Sequence, residues 1–459
     1  MTDEELDKPA DLSPQGSRGS LWGRAESMAR QTPPSRNRYV DFLRAVSIGA
    51  VVLGHWLVAA PSVVNGEIVG NHLLGIEPWT QWLTWGFQVM PLFFLVGGFS
   101  NGVSWDATLR NGGSYSTWLI GRLQRLINPV MPLFLVWVVF AGFAHAMGVS
   151  VGTVKLASQL ALVPVWFLAV YLLVVALVPL TWAAWQRLGM GSFWLLAAAV
   201  VVVDALVFVV GFGSASFANF VFVWVAVHQL GYAWYEGRFA RQQQCLIWCV
   251  AGLVCLALAV RFGPYPVAMI GVPGEEVSNS MPPTVALLLL GVFQAGLALL
   301  LEPVGRRFLD GVRAWTTVVL VNGMIMTVYL WHLTAFIAAV ALAYAAGGIG
   351  LGVEPASGAW WAWRPVWIVL YAVVVLPFIV IFARFEQAGT KLIATEVSSW
   401  RLVASVVLVC GGLALTAAGG IGSEGWTGVR LWVVALPFIG AALVDFGPLA
   451  RSRSTDSGT

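Results

Sequence analysis

RYVDFLRAVSIGAVVLGHWLVAA, residues 38–60, is long and apolar enough to cross a hydrocarbon layer about 30 Å thick, yet it carries Asp41, Arg44 and His55. Each residue of an α-helix advances about 100°. Positions 44 and 55 therefore fall within about 20° of each other and roughly 16 Å apart along the axis, with Asp41 on the same side. A charge or an imidazole facing lipid is costly, so all three should look into the protein or a wet cavity. One helix thus presents a polar stripe from its inner mouth to its outer half. That stripe is the candidate active site.

Working outward, the composition fixes the class. Hydrophobic residues make up 59% of the 459 residues and charged ones 10%, with 24 Trp and 25 Phe, too little charge for a solvated chain of this length. No basic stretch has the character of a nucleic-acid patch. The four cysteines (Cys245, Cys249, Cys255, Cys410) lie in apolar runs without metal-site spacing and read as small buried hydrophobes, and no metal is expected. The expected fold is an all-α polytopic membrane protein of about 12 transmembrane helices. The spans fall near 40–60, 80–104, 120–147, 160–184, 192–211, 219–235, 244–261, 283–302, 316–346, 362–384, 400–420 and 429–447. The third and ninth are long enough to be tilted, broken or partly outside the membrane.

With the N-terminus inside, 21 of the 25 Lys and Arg fall on cytoplasmic segments, and only Lys155, Arg261, Arg364 and Arg430 fall outside. That asymmetry is the positive-inside pattern and places both termini in the cytoplasm. Residues 1–37, polar and rich in Arg, Ser and Pro, read as a disordered cytoplasmic tail rather than a signal peptide, and 448–459 as a second tail. The outer loops 61–79, with Glu67 and His72, and 262–282, with Glu275-Glu276, read as connectors or as lids over an outward-facing pocket.

Residue chemistry narrows the function. The imidazole of His55 is the side chain suited to act as a base near neutral pH; a covalent histidine intermediate is the alternative. Arg44 stays protonated and so binds anions or a developing oxyanion, with Asp41 orienting it or merely pairing with it. Gly97 and Gly98 allow close approach of a thin ligand or of another backbone. Arg122 and Arg125 in GRLQRLINP (121–129) open the third span as a phosphate site or as membrane anchors. Trp166 in PVWFL (164–168) and His332 in YLWH (329–332) are further substrate-binding candidates. His228 and His145 read as hydrogen-bonded core histidines.

Asp41 and Arg44 with His55 eleven positions on, then FFLVGGF (93–99), RLQRLINP (122–129), WFL (166–168) and YLWH (329–332), occur in the order of the motifs of integral-membrane acyltransferase family 3, which the chain resembles over about residues 38–385. The glycine pair, at Gly98, departs from the family's usual Ser-Gly order and marks a subgroup, one without an appended extracytoplasmic hydrolase-like domain. The resemblance implies a ten-helix core at 38–385 and a C-terminal helix pair at 386–447. It also implies an O-acyltransferase that moves an acyl group from cytosolic acyl-CoA, a co-substrate with no other cofactor, to a hydroxyl of a cell-envelope glycan, glycolipid or similar acceptor. The catalytic histidine would be His55 and its partner Arg44, in a bacterial cytoplasmic membrane. The competing reading is a transporter or flippase for a lipid-linked or anionic substrate, using the same stripe as a path. Acceptor identity, acyl-chain length and oligomeric state cannot be read from the chain.

Overall fold

A computed structural model describes residues 20–33, 36–387 and 397–447. The expected tails at 1–19 and 448–459, and the basic link around Lys391, lie outside the described residues. In chain order the elements are α1 (Leu21–Arg30), α2 (Arg38–Val58), a hairpin of β1 (Ala59–Val64) and β2 (Glu67–His72), α3 (Leu73–Ile76), a 3₁₀ turn (Pro78–Leu83), α4 (Thr84–Phe87) and α5 (Met90–Arg110). There follow α6 (Tyr115–Ile127), α7 (Val130–Ala146), α8 (Val151–Ala161), α9 (Val163–Ala176), α10 (Val178–Leu188), α11 (Met190–Phe208) and α12 (Asn219–Tyr235). The chain continues with α13 (Gln242–Phe262), α14 (Val285–Leu309), α15 (Val312–Asn322), α16 (Ile325–Ala345), α17 (Gly358–Gln387), α18 (Ser399–Gly419) and α19 (Leu431–Leu443).

Among the described residues eight helical stretches are long and apolar enough to span a membrane, and ten if each of two bent pairs is one crossing. The bends are 40° between α6 and α7, at Asn128-Pro129, and 50° between α8 and α9, just before Pro164. A proline at the start of a helix cannot donate into the preceding turn, so the axis breaks there. The other two of the twelve expected segments are helical but short: α12 has 17 residues and α19 has 13. At 1.5 Å per residue, α12 measures about 25 Å, under the thickness of the hydrocarbon core. It can be short because it is enclosed by other helices, with most of its residues buried. The long ninth run divides at Gly323-Met324 into α15 and α16.

Residues 21–30 correct the expectation of a disordered tail. They form α1, whose Ala25 and Ala29 are buried and whose following Thr32 hydroxyl accepts from Trp315 Nε1 of α15 at 3.0 Å. A helix this short gains its stability from docking rather than from its own sequence.

The core pairs are α5 with α12, α13 with α14, α16 with α17, and α18 with α19. Helix α2 sits among α5, α14, α15, α16 and α17, so its polar stripe is surrounded by protein on several sides. Its start is fixed by Asn37, whose side chain accepts from the N–H groups of Tyr39 and Val40. Its end runs directly into the hairpin, which turns at Asn65-Gly66 with φ of 52° and 84°, the left-handed pair that a two-residue hairpin turn requires. By contrast α13 and α17 show their apolar side chains outward, as lipid-facing helices do.

Candidate functional site

At the C-terminal half of α2, His55 Nδ1 lies 2.9 Å from His332 Nε2 of α16, with the two rings stacked at 5.1 Å and 12°. The rest of the network assigns the protons. His332 Nδ1 is 2.6 Å from the Tyr329 carbonyl oxygen, which can only accept, so Nδ1 carries the hydrogen. Neutral His332 then presents a lone pair at Nε2, which accepts from Nδ1–H of His55. The proton chain leaves Nε2 of neutral His55 as a lone pair. His332 is fully buried and His55 only half-buried, so the inner ring orients and the outer ring is the reachable one.

The support for this pair comes from three helices. Trp56 Nε1 donates to the His332 carbonyl at 3.2 Å, Tyr329 hydroxyl donates to the Pro164 carbonyl of α9 at 2.9 Å, and Trp137 Nε1 donates to Thr334 Oγ1 at 3.0 Å. Near the end of α17, Glu386 accepts from the N–H groups of Met326 and Thr327 and from the Thr327 hydroxyl, at 3.2, 3.0 and 2.9 Å. Those are the otherwise unpaired donors of the first turn of α16, and a carboxylate there also complements the helix dipole.

At the other end of the stripe, Arg44 donates to Asp41 Oδ1 at 3.2 Å and to Ser100 Oγ of α5 at 3.4 Å. Asp41 is buried and shared, accepting also from Arg36 Nε at 2.6 Å, while its carbonyl accepts from Asn322 Nδ2 at 3.0 Å. Asp41 therefore orients Arg44. It lies about 21 Å below His55 on the helix axis and does not touch the histidine pair. Arg122 of α6 donates to Ser104 Oγ, one turn from Ser100 on α5, and sits over the Trp118 ring at 5.5 Å. Ser100 and Ser104 thus draw Arg44 and Arg122 to one wall. Arg125, exposed one turn on, adds a third positive charge beside both.

A ladder of rings joins the two ends. Tyr171 stacks on Phe167 at 5.8 Å, Phe167 meets Tyr329 at 6.0 Å, and Tyr329 lies 6.2 Å from His332. Of the remaining sequence candidates, Gly97 faces this ladder: a Cβ there would come within 2.8 Å of the Tyr171 ring. Gly98 does not face it. It lies in the crossing of α5 with α12, where a Cβ would fall 1.9 Å from the His228 carbonyl oxygen. Trp166 packs edge-on to Phe167 rather than onto either histidine. The sequence reading passed over Ser100, Ser104, Tyr171, Asn322 and Glu386. Only the FSN run and the acid closing the tenth span hinted at any of them.

Residues 37–384 match the family model of acyltransferase 3, described as an acyltransferase domain. No protein of curated function and no solved structure matches the chain. The matched segment holds the histidine pair, the arginine cluster and the ring ladder, and it ends before α18 and α19 begin.

Proposed function

The chain belongs to the acyltransferase 3 family, a family of membrane acyltransferases, and from that premise we propose that it moves an acyl group from cytosolic acyl-CoA to a hydroxyl of a cell-envelope glycan or glycolipid. The observation that carries this reading is the proton order of the His55–His332 pair, which leaves a lone pair on the less buried ring, that of the helix that also carries Arg44. The Lys and Arg distribution supports a cytoplasmic arginine end, the side from which a CoA headgroup would arrive.

The donor phosphates would sit at Arg125, Arg122 and Arg44, with the pantetheine arm along Tyr171, Phe167 and Tyr329. The roughly 16 Å between Arg44 and His55 suits a thin arm reaching from a charged head to a reacting thioester. His55 Nε2 takes the proton of the acceptor hydroxyl as its oxygen attacks the thioester carbonyl. The carbon–oxygen bond forms, the carbon–sulfur bond breaks, and the proton passes from His55 to the departing thiolate. The products are the ester and free CoA, with no net proton change. His332 holds the ring in the tautomer that can act as base.

Purified protein in detergent, given acetyl-CoA and an envelope extract, will release CoA and acylate a component of the extract without any gradient. Transfer that requires two sealed compartments, or none at all, overturns the proposal. Arg122→Ala will raise the KM for acetyl-CoA by about tenfold or more, the cost of a lost charged hydrogen bond, with kcat changed less. His332→Ala will lower kcat by roughly 10²-fold while leaving the acetyl-CoA KM in place, and His332→Gln, which can still accept from His55 Nδ1–H, will recover part of the rate. A KM change in the His332 variants would show that the residue acts on the donor instead.

A further inference from the structure

Where α14 ends and α15 begins, a groove opens between α15 and α1, outside the site described above. It is lined by Trp22, Glu26 and Arg30 of α1 and by Val312, Arg313 and Thr316 of α15, and its volume is about 350 Å³. That is within the ~300–1,000 Å³ usual for ligand sites. Thr316 is fully buried, yet its hydroxyl has no hydrogen-bond partner. A helical threonine can bond the carbonyl four residues back, as its neighbour Thr317 does to Arg313 at 3.0 Å. Thr316 leaves that bond unmade, and an unpaired hydroxyl in the wall of a cavity calls for a partner inside it.

The rest of the groove sets the chemistry of that partner. Helix α15 starts at Val312 with no side-chain cap and no acid in its first turn, so the N–H groups of Val312 and Arg313 are left as donors at the positive end of the helix dipole. Among the described residues, the one carboxylate lining the groove, that of Glu26, is taken by Arg30 at 2.6 Å. The Arg313 charge and the helix end are left to an outside anion. A hydroxyl donor, backbone N–H groups and a guanidinium around one space suit phosphate oxygens.

The surroundings set its source. Val304 and Phe308, one turn apart near the end of α14, are exposed apolar side chains, and so are Leu21 and Met28, which share one side of α1. Trp22 is exposed at the groove itself. Apolar side chains and a tryptophan around a basic groove suit a surface resting on lipid headgroups, and Arg306, Arg307 and Arg313 in this stretch would attract an anionic leaflet. A soluble phosphate would have no use for the apolar collar. Both walls also reach the acid that orients Arg44. Trp315, next to Thr316, donates to Thr32 and lies under the Arg38 guanidinium at 5.2 Å. Asn322, at the far end of α15, donates to the Asp41 carbonyl, and Arg36, in the segment after α1, donates to the Asp41 carboxylate.

We propose that the groove between α1 and α15 binds the phosphate headgroup of an anionic phospholipid, which clamps α1 to the bundle beside Asp41. The site stands whether or not the chain transfers acyl groups. Delipidated protein in detergent is titrated with phosphatidylglycerol, phosphatidylcholine or inorganic phosphate, and followed by native mass spectrometry and thermal unfolding. Phosphatidylglycerol will be retained and will raise the melting temperature, whereas phosphatidylcholine and inorganic phosphate at equal concentration will do neither. Thr316→Val, which swaps the hydroxyl for a methyl of the same shape, and Arg313→Gln will each weaken phosphatidylglycerol binding about tenfold. Arg307→Gln, which removes an equal charge outside the groove, will weaken it less than about twofold. Without lipid, Thr316→Val will melt no lower than wild type, because an unpaired hydroxyl adds nothing to the fold.

Equal retention of phosphatidylcholine, an equal response to inorganic phosphate, or wild-type affinity in either groove variant overturns the site. So does a loss in Arg307→Gln as large as that in Arg313→Gln, which would mean diffuse attraction to the basic surface. A lower melting temperature of lipid-free Thr316→Val would show the hydroxyl paired within the fold and remove the ground for a ligand.

Discussion

His55→Ala protein will fold, insert and bind acetyl-CoA, yet its kcat will fall by roughly 10²–10⁴-fold, the usual worth of a positioned general base. The side chain is half-buried and its hydrogen bond goes to one neighbour, so its removal leaves the aromatic and backbone contacts of α2 in place. The loss should sit in kcat, because the proposed donor headgroup site lies at the other end of the helix with Arg44. Release of CoA followed with a thiol reagent measures it, beside acetyl-CoA binding on the same preparation. Turnover above a tenth of the wild-type rate would remove the imidazole from the mechanism. A parallel loss of acetyl-CoA binding would show that His55 shapes the donor site instead.

Gly98→Ala will cost folded protein rather than chemistry. A Cβ at position 98 would lie 1.9 Å from the His228 carbonyl oxygen and 3.1 Å from Gly231 Cα, and one at position 231 would lie 2.3 Å from the Leu95 carbonyl oxygen. These obstacles are backbone, so the only relief is to part α5 from α12. The penalty belongs at the upper end of the ~1–3 kcal/mol usual for overpacking, read as a lower melting temperature and lower yield in detergent. Gly49→Ala is the control, since nothing stands within 4 Å of a Cβ there. Equal stability of the two variants would mean that the crossing tolerates separation.

The two glycines show how far the sequence could be read. Gly97-Gly98 promised close approach, and both deliver it, but to different partners. Which glycine meets a ring and which meets a backbone depends on the rotation of α5 against α9 and α12, and no local pattern encodes that. The Arg44–His55 stripe was legible because helical geometry alone puts both on one face. The His55–His332 contact was not, since it joins residues 277 positions apart. His332 could be singled out only as a polar residue in an apolar run. The hairpin after α2 did carry a signal, Asn65-Gly66 between apolar residues, hidden by the surrounding hydrophobicity. The short α12 was expected as a full span because burial by neighbours and burial by lipid leave the same composition.

Glu386 sets a limit on how this protein can be cut. The family match stops at residue 384, two positions before the carboxylate that closes the first turn of the helix bearing His332. An expression fragment trimmed to the homologous segment would keep every residue proposed to handle substrate and still fray the helix that holds the inner histidine. Fragments meant for assay or crystallisation should run past 386, and a failure of the shorter one would say nothing about whether the last helix pair matters.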